Sequence, residues 1–255
     1  VDRRIVRAHK LILVSLLGFV SANVGADEIN HAREYDACMA LARSDPPAAY
    51  ESGLAWVALG GDLPARHCVA VALIGLSQYA EAASRLEVLA SQTPSNRTDL
   101  KFGMLVQAGQ AWTLAGKPDQ ADTVQTHALA LSPSDADLLV DRAVSRISLG
   151  RHAQAINDLS RALSVSRSHV EAMVYRATAN RFLGRTALAR RDLESALSRA
   201  PDHPGALLER GLLKRLAGDR DGARRDWLAV IENAPSSPEA DAARNRLAEM
   251  DVKSD

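Results

Sequence analysis

The sequence predicts an all-α protein, a solenoid of antiparallel helix pairs stacked one after another. Three observations predict it: the chain repeats with a fixed period, glycine and proline punctuate each period, and the apolar residues are small and aliphatic. Of 255 residues 47% are hydrophobic but only 4% aromatic. That composition suits closely packed helices better than a β-sandwich, which draws on β-branched and aromatic pairs.

The period shows in several registers at once. Gly116, Gly150, Gly184 and Gly218 are evenly spaced, and Ala121, Ala155, Ala189 and Ala223 keep the same interval. Ala128, Ala162, Ala196 and Val230 form a third register, and Gln125, Leu159, Leu193 and Trp227 a fourth. Pro133, Pro201 and Pro235 close three units, with Arg167 at the corresponding place in the other. Each glycine falls between two amphipathic stretches, where a left-handed residue ends a helix without a Cβ penalty. Gly109, Ala143, Ala177 and Gly211 leave room for the two helices to approach, and Leu105, Leu139, Met173 and Leu207 fill the core beside them.

Small residues at the helix crossing, a turn glycine and a closing proline over about 34 residues resemble the tetratricopeptide repeat. The resemblance implies a right-handed superhelical solenoid. Its elements follow in order.

Residues 1–26 read as a secretory signal. Arg3, Arg4, Arg7 and Lys10 precede the apolar run Leu11 to Val20, and Val24 and Ala26 are the small residues of a cleavage site after Ala26. The apolar run is about half of the ~20 residues that span a bilayer, so no stable membrane span is expected after cleavage; a retained anchor is the alternative. Residues 27–62 read as a degenerate helical hairpin with a turn at Ser44-Asp45-Pro46-Pro47, capping the array. Five repeats are then expected at 63–96, 102–135, 136–169, 170–203 and 204–237. In the first, Ser77 replaces the turn glycine, and Arg97 to Lys101 are five extra residues, read as a longer loop. Residues 238–255 supply a capping helix and tail, with Ser237 as N-cap and Pro238 in the first turn.

Charge excludes some partners. Lysine plus arginine and aspartate plus glutamate each number 31, for a net charge of zero. Cleavage would remove four basic residues and Asp2, leaving 27 basic against 30 acidic side chains and a net charge of −3. Nucleic acid is not an expected partner. Arginines at 181, 185, 190, 191, 215, 220, 224 and 225 are interleaved with carboxylates and read as a solvated, salt-bridged face.

Catalytic motifs are missing. No His-Glu-x-x-His, phosphate loop or Gly-x-Ser-x-Gly elbow is present, and the histidines read as scattered, so no enzyme activity, metal or cofactor is expected. Arg142, Arg176 and Arg210 each precede an aspartate (Asp158, Asp192, Asp226) by the same distance along the chain. A catalytic pair is not normally needed three times at one lattice position, so these read as structural ion pairs. Cys38 and Cys68 fall on the first helices of neighbouring hairpins. In an oxidising compartment they would form a disulfide contributing ~3 kcal/mol, with two buried thiols as the alternative.

The resemblance implies that the first helices line a concave groove for a protein or peptide partner. Carried over by position, Gln107, Gln110, Asp141, Tyr175, Thr178, Arg181, Glu209 and Arg215 are the candidate contact residues, on an apolar floor of valine and leucine. Tyr175, Arg181 and Arg215 are the expected anchors. The expected role is a periplasmic or secreted scaffold of the bacterial envelope. The alternative is a non-catalytic regulatory subunit of a cell-wall or polysaccharide enzyme. Neither the partner nor the oligomeric state follows from the sequence.

Overall fold

The computed structural model describes residues 30–252, so the signal segment expected at 1–26 lies outside the described residues. Those described form thirteen α-helices and no strand. They are α1 (His31–Ser44), α2 (Pro46–Ala58), α3 (Asp62–Gly75), α4 (Tyr79–Gln92), α5 (Thr98–Leu114), α6 (Pro118–Leu131) and α7 (Ala136–Ser148). Then follow α8 (His152–Val165), α9 (Val170–Phe182), α10 (Thr186–Arg199), α11 (Pro204–Leu216), α12 (Arg220–Asn233) and α13 (Pro238–Val252). Each helix packs on the next, and the first helices α5, α7, α9, α11 and α13 also touch one another in succession. This is an all-α repeat solenoid.

The turns inside the hairpins use one device. Gly116, Gly150, Gly184 and Gly218 have φ of +66°, +70°, +70° and +85°. In the first of these turns Gly116 N–H donates to the Thr113 carbonyl and Lys117 N–H to Trp112, the paired bonds of a Schellman cap. Ser77 holds the same place between α3 and α4 at φ +59°, with Gln78 N–H donating to Leu73. A serine there carries the steric cost that glycine avoids.

Packing within a hairpin depends on the small residue at the crossing. A Cβ on Gly109 would lie 2.8 Å from Gln125 Cγ, and one on Gly211 would strike the Trp227 indole. Glycine stands where the facing side chain is amide or indole; alanine stands at 143 and 177, where that register carries Leu159 and Leu193. All four facing residues are buried.

Ion pairs cross-brace the same lattice. Arg142, Arg176 and Arg210 each donate two hydrogen bonds to Asp158, Asp192 and Asp226, at 2.6–2.9 Å. Arg142 and Arg176 also reach back to the hydroxyls of Thr126 and Ser160 on the preceding second helix. One guanidinium thereby joins two hairpins.

Three details differ from the sequence reading. The extra residues at 97–101 are not a loop: Thr98 to Lys101 form the first turn of α5, which runs to 17 residues. A helix satisfies their backbone groups better than an open loop would. The turn between α1 and α2 is Asp45 alone, whose carboxylate accepts from Ala48 N–H while Pro46 starts the helix. His169 and His203 are not scattered but share one register. With Asp135 and Ser237 they form a series at the repeat interval, and each accepts the backbone N–H three residues on.

Cys38 of α1 and Cys68 of α3 are joined by a disulfide with Cα atoms 6.1 Å apart. At the far end Ala240, Ala243 and Met250 of α13 are buried against the last hairpin, while Arg244, Asn245 and Glu249 are exposed.

Candidate functional site

The first helices carry three hollows. The one nearest the disulfide lies among α1, α3 and α5 and measures about 380 Å³. A second of about 520 Å³ crosses α5, α7 and α9. The third, of about 490 Å³, crosses α7, α9, α11 and the start of α13. Val144, Glu171 and Tyr175 line both the second and the third, so these two are continuous.

A chain of hydrogen bonds runs along the wall of the first hollow. The Tyr35 hydroxyl donates to His67 Nδ1 at 2.9 Å, and His67 Nε2–H donates to Gln107 Oε1 at 2.7 Å. His67 is buried, and burial pushes its pKa below the usual value. The neutral imidazole fits, since it must accept on one nitrogen and donate from the other. This relay spans three successive first helices and holds Gln107, a candidate contact residue, in place.

The continuous groove is built by the repeat itself. Position two of α7, α9, α11 and α13 carries Asp137, Glu171, Gly205 and Glu239; one turn later α7, α9 and α11 carry Asp141, Tyr175 and Glu209. Residues four apart share a helix face, so the two rows run side by side. Neither the second nor the third hollow is lined by a lysine or arginine.

The carboxylates differ in what they meet. His169 Nε2–H donates to Asp137 at 3.0 Å, and His203 Nε2–H to Glu171 at 2.9 Å, while the opposite ring nitrogens cap α9 and α11. The His203 bond lowers the Glu171 pKa, and the same contact raises that of His203. Asp141 has the amide of Gln110 as its hydrogen-bonding neighbour; burial raises its pKa, and the nearby Asp137 and Asp135 add to the rise. Glu239 forms no ion pair among the described residues. Burial, and then the charges of Glu171, Glu239 and Asp141, raise the phenol of Tyr175, which places that ring amid three carboxylates.

The candidate contact residues separate into three groups. Gln110, Asp141 and Tyr175 line the second hollow, and Tyr175, Thr178 and Glu209 the third. Gln107 lines the first. Arg181 and Arg215, expected as anchors, line none of the three. Arg181 grips Glu209 through two bonds of 2.7 and 3.1 Å with its guanidinium 4.4 Å from the centre of the Phe182 ring, and Arg215 pairs with Glu249 at 3.4 Å. The apolar floor is present but recessed: Val140 and Val174 are buried. Sequence reasoning missed the two histidines and the carboxylates Asp137, Glu171 and Glu239; the signal for the histidines was their spacing at the repeat interval, with a carboxylate at one constant distance before each.

No helix among the described residues is long and apolar enough to cross a membrane, and no cluster of metal-ligating side chains occurs among them.

The family model for the tetratricopeptide repeat matches residues 171–203 and 205–237. No curated protein sequence matches the chain. Among solved structures, MamA from Desulfovibrio magneticus is similar with a TM-score of 0.59 and 14% identity, over 68% of this chain and 97% of that one. A further MamA structure gives a TM-score of 0.55 at 18% identity, over 65% and 94%. YrrB, described as a tetratricopeptide protein with an unusual peptide-binding site, gives 0.53 at 17% identity, over 75% and 96%. These likenesses concern the fold.

Proposed function

We infer that the chain is a tetratricopeptide-repeat protein, a class of protein-interaction scaffold, and that it acts as an adaptor of the bacterial envelope, holding a segment of a partner protein along its first helices. The observation that carries this reading is the continuity of the two hollows through Tyr175 and Glu171. A path across five first helices suits an elongated ligand better than a compact metabolite. The arginine–aspartate braces hold those helices in fixed relation, so the groove is pre-organised and a partner would lose little to ordering it. The basic and then apolar start of the sequence, which reads as a secretory signal, and the disulfide support an exported, oxidising setting. The protein is read as a non-catalytic component.

The test is capture from envelope extracts. Tagged protein is expected to retain a partner that Tyr175→Ala loses, without change in the helical circular dichroism. Recovery of no partner, or of partners indifferent to Tyr175→Ala, would overturn the reading.

A further inference from the structure

The groove differs from the rest of the molecule in charge. The chain as a whole is neutral, yet five carboxylates (Asp137, Asp141, Glu171, Glu209 and Glu239) line the second and third hollows without one lysine or arginine. The cations have gone elsewhere. Arg142, Arg176 and Arg210 are spent inside the hairpins, Arg146 and Arg151 on Asp122, and Arg224 on Asp251. The lattice therefore segregates its charges, leaving one face acidic.

Not every groove carboxylate is equally available. Glu209 is held by Arg181, and Asp137 and Glu171 each meet a histidine. Asp141 and Glu239 have no cationic partner, and both act on Tyr175 between them. A half-buried carboxylate without a counter-charge is less stable than a paired one. An incoming ammonium or guanidinium would supply that counter-charge, and the Tyr175 ring offers its electron-rich face to the same group.

We propose that the groove from α7 to α13 selects a basic segment of its partner, with lysine or arginine side chains seated against Asp141, Glu239 and the face of Tyr175. This rests on the groove being the partner site, and it specifies the partner's chemistry. Successive first helices at about 9–10 Å put three spacings near 30 Å, the reach of about nine extended residues. Opposite charge would speed the encounter and reject acidic segments.

Fluorescence anisotropy with three labelled nine-residue peptides tests this. One alternates lysine with leucine; the others carry glutamine or glutamate in place of lysine. The lysine peptide is expected to bind about tenfold or more tightly than the glutamine one, with the glutamate peptide weakest. The double variant D141N/E239Q should weaken the lysine peptide about tenfold, Glu239→Gln alone should weaken it less, and Glu232→Gln on α12 should leave it unchanged. Equal binding of lysine and glutamine peptides, both lost with Tyr175→Ala, would overturn the preference for a basic segment and leave the groove reading intact. Peptide binding that ignores Tyr175→Ala, or no binding of any peptide, would overturn both.

Discussion

Arg142 and Asp158 meet side-on, Nε to Oδ2 at 2.9 Å and Nη2 to Oδ1 at 2.6 Å, with residue exposures of only 8% and 2%. Arg146 shares the same carboxylate at 2.6 Å. Asp158 is therefore the hub, and its removal leaves the buried Arg142 without a carboxylate, while Arg146 keeps Asp122. Asp158→Ala should cost about 3–5 kcal/mol. Arg146→Ala, which leaves the Arg142 pair whole, should cost about 1–2 kcal/mol. Urea unfolding of both variants checks the order; equal losses would show that the carboxylate is not shared energetically.

The Cys38–Cys68 disulfide closes a loop of 30 residues in sequence separation. Reduction, or Cys68→Ala, should lower stability by about 3 kcal/mol in the chain-entropy account. The loss should concentrate in α1 and α2, seen as faster amide hydrogen exchange there. Uniform acceleration across α7 to α12 would contradict it.

Left-handed backbone at the turns sets a pair of opposite expectations. Gly184→Ala places a Cβ at φ +70° and should destabilise by about 1–2 kcal/mol. Ser77→Gly removes one at φ +59° and should be neutral or stabilising by up to about 1 kcal/mol, the gain trimmed by the freer unfolded glycine. Thermal unfolding of the two variants measures the contrast.

The Glu171–His203 contact gives a pH dependence with a defined sign. His203 has its pKa raised above the usual 6.5, so its ion-pair contribution is complete below that value, where the protonated Nδ1 gives up the Ala206 N–H, and is lost as pH rises through the folded value. Glu171 has its pKa lowered below the usual 4.5, so its contribution is complete above that value and is lost as pH falls through the folded value. Both are present between pH 4.5 and 6.5. Glu171→Gln should bring the His203 titration, followed by NMR, to lower pH. An unmoved titration would show that the carboxylate does not hold the imidazolium.

What repeats with constant residue type was legible in the sequence. The turn glycines, the second-helix alanines at 121, 155, 189 and 223 and the three arginine–aspartate pairs each recur unchanged, so one period exposed them. What repeats by role was not. The N-cap register reads Asp135, His169, His203 and Ser237, three residue types sharing only an acceptor atom three residues before a backbone N–H. The start of α5 was misread for a related reason: inserted residues look the same whether they widen a loop or lengthen a helix. The acidity of the groove was hidden because its rows interleave carboxylates with Gly205 and Tyr175. Its sign emerges only once folding has turned the arginines to other faces.

The crosslink near α1 also makes the two ends of the array unequal under load. Among the described residues no disulfide joins α11 to α13, so opening that starts at α13 can peel away one helix at a time. Opening from the α1 side must drag α3 along with it. Strain applied along the array should thus unzip it from the α13 side, releasing a seated partner from that end before the opposite end yields.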